Sequence, residues 1–227
     1  MEVKENVTNK IKKQILEDTK EFVFQTLNNE KSGHDWFHIQ RVVNLTKQIA
    51  QQEARQVDAF VCEMAALLHD IPDEKLNVTP EIGKQRVEHW LKRQKLALVD
   101  QTAILTIVLN LSYKGGTNKV QLETIEGKIV QDADRLDAMG AIGIARTMIY
   151  SGHHGRPMHD PAKQPRTNMT LAEYRSNEDT AIMHFYEKLL KLKDTMNTTT
   201  GKKLANERHL YMENYLKEFF AEWNGEK

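Results

Sequence analysis

Apolar residues recur along this chain at intervals of three and four, the spacing that lines one face of an α-helix. Val7, Ile11, Ile15, Phe22 and Leu27 fall on related faces of a first predicted helix over about 3–27. Ile39, Val42, Val43, Ile49 and Ala50 mark a second after Phe37, and a third, 58–68, is apolar enough to be buried on most sides. Thr79-Pro80-Glu81 supplies a capping hydroxyl, a proline for the first helical position and a first-turn acid. A fourth helix therefore starts there, carrying Ile82, Val87, Trp90 and Leu91. Further helices are expected over about 99–111, 122–130 and 134–150, with a break at Lys114-Gly115-Gly116 and a bend near Asp132. Alternating strand patterns are missing, so the fold class is all-α.

Residues 151–168 break the pattern with Gly152, Gly155, three prolines and three histidines. That length is unusual for a connector inside a compact domain. Two readings stay open: a floppy surface loop, or a lid that contacts substrate. Beyond it, Ser176 and Asp179 form a capping-box-like start, and 204–223 reads as an amphipathic aromatic helix that can pack internally or form a homodimer.

Composition narrows the partners. Lys+Arg and Asp+Glu both number 32 in 227 residues, so no basic field advertises nucleic acid as the main ligand. One cysteine, Cys62, permits no intramolecular disulfide and reads as a small core hydrophobe. No transmembrane-length apolar run or secretory h-region is apparent, which makes a cytoplasmic protein the expectation.

The chemistry lies in four side chains. His38 comes first, the adjacent pair His69-Asp70 follows, and Asp134 closes the set within Asp132-Ala133-Asp134-Arg135-Leu136-Asp137. Two imidazoles and two carboxylates can hold one divalent cation and leave positions for water and an oxyanion. Pro72 disfavours helical geometry at Ile71, so His69-Asp70 falls at a helix terminus. Each fragment alone has a bland explanation as a surface or core residue. The combination does not.

In this order, His38 within His-x-x-Arg-Val, His69-Asp70, and Asp134 within Ala-Asp-Arg-Leu resemble the HD superfamily of metal-dependent phosphohydrolases. Gly33-His34-Asp35, the stretch 132–141 and the tail from His184-Phe185-Tyr186 are similar to stand-alone bacterial HD hydrolases of the YpgQ and YedJ type. The resemblance implies a single HD-type domain over 1–227. Its helical bundle would hold a metal-binding core at about 30–150, with the loop and additional C-terminal helices in 151–227. It assigns one divalent ion to His38, His69, Asp70 and Asp134, with Mn or Mg preferred and Fe, Co, Ni or Zn as alternatives. In HD enzymes acting on guanosine pyrophosphate derivatives an acidic pair follows the His-Asp after two residues. Asp73 and Glu74 stand there and are assigned to the attacking water. No histidine occurs in Leu109-Asn110-Leu111-Ser112-Tyr113, which speaks against a second metal.

Cations must neutralise the remaining phosphate oxygens. Arg41, Lys114 and Arg156 are the candidates for substrate contact, with Arg135, His153, His154 and Lys163 behind them. The implied activity is hydrolysis of a small phosphorylated substrate, a nucleoside triphosphate cut to monophosphate and pyrophosphate. Alternatives are a monophosphate phosphatase, a cyclic-nucleotide phosphodiesterase, a non-catalytic metal-dependent nucleotide sensor, and a plain helical interaction protein.

Overall fold

Helices account for all the regular structure among the described residues, which in this computed structural model are 2–28, 35–74, 76–111, 120–166, 170, 173 and 179–227. In chain order they are α1 (Glu2–Leu27), α2 (Trp36–Gln52), α3 (Ala59–Leu68), α4 (Pro80–Arg93), α5 (Leu98–Asn110), α6 (Ile125–Asp137), α7 (Gly140–His153) and α8 (Ala181–Glu187). A 3-10 helix, Leu189–Thr195, then precedes α9 (Thr199–Trp223). No helix among the described residues is long and apolar enough to cross a membrane. Contacts divide the chain into two compact units, Met1–Ser112 with Val120–Val130, and Tyr113–Lys119 with Gln131–Lys227.

The first unit is organised around α3, which packs against α1, α2 and α5. Its apolar run explains the placement: Phe60, Val61, Cys62, Met64 and 65–68 are all buried. Burial pushes the Cys62 thiol up to about 12, with Glu126 and Asp58 adding to the shift. Trp90 of α4 stacks on Phe22 of α1 at 4.2 Å, and its indole N–H donates to Thr19 at 2.9 Å. A ring with one polar tip thereby gains both apolar burial and a satisfied donor. The expected fourth-helix start is observed, with the Thr79 hydroxyl accepting from the Ile82 amide and Pro80 in the first turn.

In the second unit α7 packs on α9 and α8, and the 3-10 helix lies against α8 and α9. Three expectations are corrected here. The chain does not bend at Asp132, because α6 runs unbroken through it. The break comes at 138–139, and Gly140, which opens α7, adopts φ +67°, a value that favours glycine. The cap after the 151–168 segment also differs: Thr180 accepts from the Met183 amide and starts α8, while Asp179 is engaged elsewhere. Ser176 lies outside the described residues. The segment itself is shorter than expected, since α7 extends to His153.

Candidate metal centre

Asp35 fixes the first donor. Its carboxylate accepts from the His38 amide at 2.8 Å as the N-cap of α2, so His38 stands in the first turn of a capped helix. The ring is buried, with 1% of the residue exposed. On α2 it shares a face with Ile39, Val42, Val43 and Ile49, which are buried too.

His69 is the C-cap residue of α3, and Asp70 follows in the turn that closes the helix. The His69 Nδ1 lies 2.8 Å from the Ala66 carbonyl oxygen. A carbonyl only accepts, so Nδ1 carries the proton, and Nε2 of the neutral ring presents its lone pair. Such a bond to the far nitrogen orients histidines that ligate metals. The turn is then built by short backbone bonds: Ile71 N–H to Leu68 O, Asp73 N–H to Asp70 O, and Leu76 N–H to Asp73 O, each 3.0 Å.

These two segments bring three predicted ligands together. His38 Nε2 and His69 Nε2 are 3.2 Å apart. Asp70 places Oδ2 3.4 Å from His38 Nε2 and Oδ1 3.3 Å from His69 Nε2. The donor set fits a divalent ion: ligands about 2.1 Å from a common metal and about 100° apart are about 3.2 Å from each other. Asp70 and His69 are buried as His38 is, so three polar groups share an interior position that a cation would neutralise.

Asp134 lies on α6, four residues after Val130, and is half-buried. Its neighbours on α6 are structural. Fully buried Asp132 accepts from the Asn197 amide and side chain and from the Thr198 amide and hydroxyl, at 2.7 to 3.1 Å. Arg135 donates to the Thr195 carbonyl oxygen, and Asp137 accepts from Arg146 at 2.7 Å.

The remaining predicted residues fall at varied distances from this chemistry. Asp73 is half-buried and Glu74 exposed, three and four positions after Asp70 in the same turn. Arg41 is half-buried on α2, three residues past His38. His34 and Lys114 lie outside the described residues. Arg156 is inside the second unit, in a buried ion pair with Asp179. Lys163, His153 and His154 are exposed. An open cavity of about 700 Å³ beside α1 and the start of α3, lined in part by Lys12, Phe60 and Glu126, contains none of the predicted site residues.

Sequence reasoning missed the residues that support the turn. Asn77 Nδ2 donates to the Ile71 and Asp73 carbonyls at 2.8 and 2.9 Å, and Arg86 donates to Asn77 Oδ1 at 3.1 Å. A Cβ on Gly83 would meet Pro72 O at 2.6 Å, so α4 approaches the turn as closely as only glycine permits. An asparagine after a His-Asp-x-Pro turn is a weak turn signal at best, and nothing in the sequence pairs it with Arg86.

Comparison with known proteins bears directly on this ligand order. The HD domain family model matches residues 36–139, a stretch that contains His38, His69, Asp70 and Asp134. YpgQ of Bacillus subtilis (strain 168) is similar at 37% identity over 204 residues, 89% of this chain and 90% of the relative. The crystal structure of YpgQ in complex with ADP matches with a TM-score of 0.71 at 35% identity, covering 90% of this chain and 95% of that one. An HD-superfamily hydrolase from Bacillus thuringiensis matches at 44% identity and a TM-score of 0.74, covering 94% and 98%. A Lactobacillus plantarum protein of known structure matches at 42% identity and a TM-score of 0.82, covering 93% and 98%. With the histidines and the aspartate converging as they do, the chain belongs to the HD superfamily and is an HD-type metal-dependent phosphohydrolase.

Proposed function

We propose that this protein is a nucleoside triphosphate pyrophosphohydrolase of the cytoplasmic nucleotide pool, working with one divalent ion. The observation that carries the reading is the buried convergence of His38, His69 and Asp70, with an acidic pair in the same turn. The nucleotide class is supported by the relative whose structure holds ADP. His38, His69, Asp70 and Asp134 would hold the ion, and a mixed imidazole and carboxylate set suits manganese better than magnesium. When bound, the metal lowers the pKa of water and withdraws charge from phosphoryl oxygens.

The chain supplies the rest. Water oxygen bonds to the α-phosphorus, the bond from that phosphorus to the α–β bridging oxygen breaks, and pyrophosphate leaves. Asp73 or Glu74 receives the water proton; such a group contributes about a hundred- to ten-thousand-fold to the rate. Arg41, Lys114 and Arg156 are assigned to the phosphate oxygens, although Arg156 reaches a substrate only by sharing or leaving Asp179.

Product analysis by phosphorus NMR over a nucleotide panel with manganese or magnesium tests the reading. Pyrophosphate and monophosphate from a triphosphate are expected. Orthophosphate alone would point to a phosphatase, and no product to a nucleotide sensor. Asp134→Ala serves as the control within the experiment, losing metal by elemental analysis and at least about a hundredfold in rate while keeping its helicity. Undiminished metal and turnover in that variant would remove Asp134 from the ligand set.

A further inference from the structure

The turn 70–77 carries a metal-ligand candidate at one end and the acidic pair in its middle, so its internal geometry sets the distance between the two. Three observations show how that geometry is held. Asn77 spends both amide hydrogens on backbone carbonyls of the turn, Ile71 O and Asp73 O, on either side of Pro72. Its oxygen is occupied by Arg86 from α4. Gly83, one helical turn before Arg86, brings the α4 backbone against Pro72 O and Cα, at 2.6 and 2.8 Å from where a Cβ would stand. The asparagine is thus oriented by α4 from one side while it grips the turn on the other.

We infer that Asn77, oriented by Arg86, is a positioning residue that holds Asp73 and Glu74 in register with His69 and Asp70. It does not contact the reacting atoms. It acts through the Asp73 carbonyl, the residue whose amide in turn bonds the Asp70 carbonyl. The consequence for the proposed hydrolysis is specific. Loosening the bracket moves the acids relative to the ion and leaves the imidazole ligands in place, because His38 is set by Asp35 and His69 by Ala66. The catalytic part of this inference rests on the proposed function; the structural part does not.

Asn77→Asp is the informative variant. It keeps size and shape and retains an oxygen for Arg86, but cannot donate to Ile71 O or Asp73 O. In metal-free protein the Asp73 and Leu76 amides, both bonded inside the turn, should exchange with deuterium at least about tenfold faster, as for the loss of one or two hydrogen bonds. The Cys62 amide, bonded to Asp58 O in α3, should keep its wild-type rate. On whichever nucleotide the wild type hydrolyses, kcat should fall at least about tenfold while manganese affinity and KM change less than about threefold. Arg86→Lys, which keeps a donor for Asn77, should behave as wild type, and Arg86→Met should show a weaker form of the same effects.

Unchanged exchange at Asp73 and Leu76 would overturn the bracket. Faster exchange with unchanged kcat would overturn the positioning role. Should Asn77→Asp fail to fold, Arg86→Met carries the same test with the same two criteria. A wild type without turnover on any nucleotide would defeat the proposed function and leave the exchange result standing.

Discussion

Two parts of this molecule solve the same problem, pinning an irregular segment, with opposite chemistry. At 70–77 the fastening is a half-buried amide with every hydrogen-bonding atom engaged and a glycine that admits a neighbouring backbone. At 156–166 it is charge. Arg156 pairs with Asp179, and Arg166 grips Glu187 through Nε, Nη2 and its backbone amide at 2.8 to 2.9 Å. Backbone bonds from Ala181 to Pro157 and from Ile182 to Met158 join the same two stretches. The segment read from sequence as either a surface loop or a lid is therefore riveted at Arg156 and Arg166, and the positions between, around Lys163, are exposed. A neutral bracket is cheap to bury and exact in direction. A buried ion pair is costly to break because the surviving charge has nowhere to go.

The largest effect should come from breaking one rivet. Arg156→Met leaves the Asp179 carboxylate buried beside the His184 ring without its guanidinium partner, and should cost about 3 kcal/mol in urea unfolding. A loss under about 1 kcal/mol would mean that the pair is dispensable and that charge does not fasten this segment. The bracket is attacked from behind by Gly83→Ala, whose methyl meets Pro72 backbone and lies 3.0 Å from Asn77 Nδ2. Overpacking of this kind costs about 1–3 kcal/mol, and the exchange of the Asp73 and Leu76 amides should quicken with it. Wild-type exchange there would show that α4 does not bear on the turn.

Acidification should separate the two segments by the least. Burial holds the His184 pKa below the usual histidine value, although Asp179 pulls the other way. The unfolded chain thus takes up that proton first, and stability falls as pH drops below about 6.5. Asp179 and Glu187 follow. Burial alone would raise both, but His184 and Arg156 for the first, and Arg166 for the second, hold them below the usual carboxylate range. Their contribution is present above the ordinary carboxylate pKa and is lost as pH falls through the depressed folded values. Exchange rates corrected for intrinsic pH dependence should show the Ala181 and Ile182 amides losing protection between pH 7 and 5. The α4 amides, in a helix docked by Trp90 on Phe22 and Thr19, should not follow. Parallel slopes would refute the distinction.

What the sequence discloses here depends on how local the cause is. The cap at Thr79-Pro80-Glu81 is legible because its three residues are adjacent and act on the same first helical turn. The apolar periodicity of α2 and α3 is legible because a helix repeats it. His38, His69 and Asp70 stand out by residue type, and their convergence could be expected from the family resemblance though not from spacing. Asn77 and Arg86, nine apart across a helix start, carry no such mark. Arg156 read as a loop cation because its partner lies 23 residues away. The misplaced bend has the same origin: Asp132 looks like a helix terminator, and only the distant Asn197-Thr198 segment that surrounds its carboxylate explains how it sits inside α6.

The single thiol gives this protein a built-in clock. Cys62 is buried in α3 with its ionisation pushed up to about 12, so at neutral pH the native chain holds almost no reactive thiolate. A disulfide reagent must wait for α3 to open, and with one cysteine in the chain each labelling event marks one opening. The rate at which the native protein consumes such a reagent is then a direct reading of how often the helix bearing His69 comes apart. A metal held at that helix's end, as proposed, would slow the clock in proportion to its occupancy.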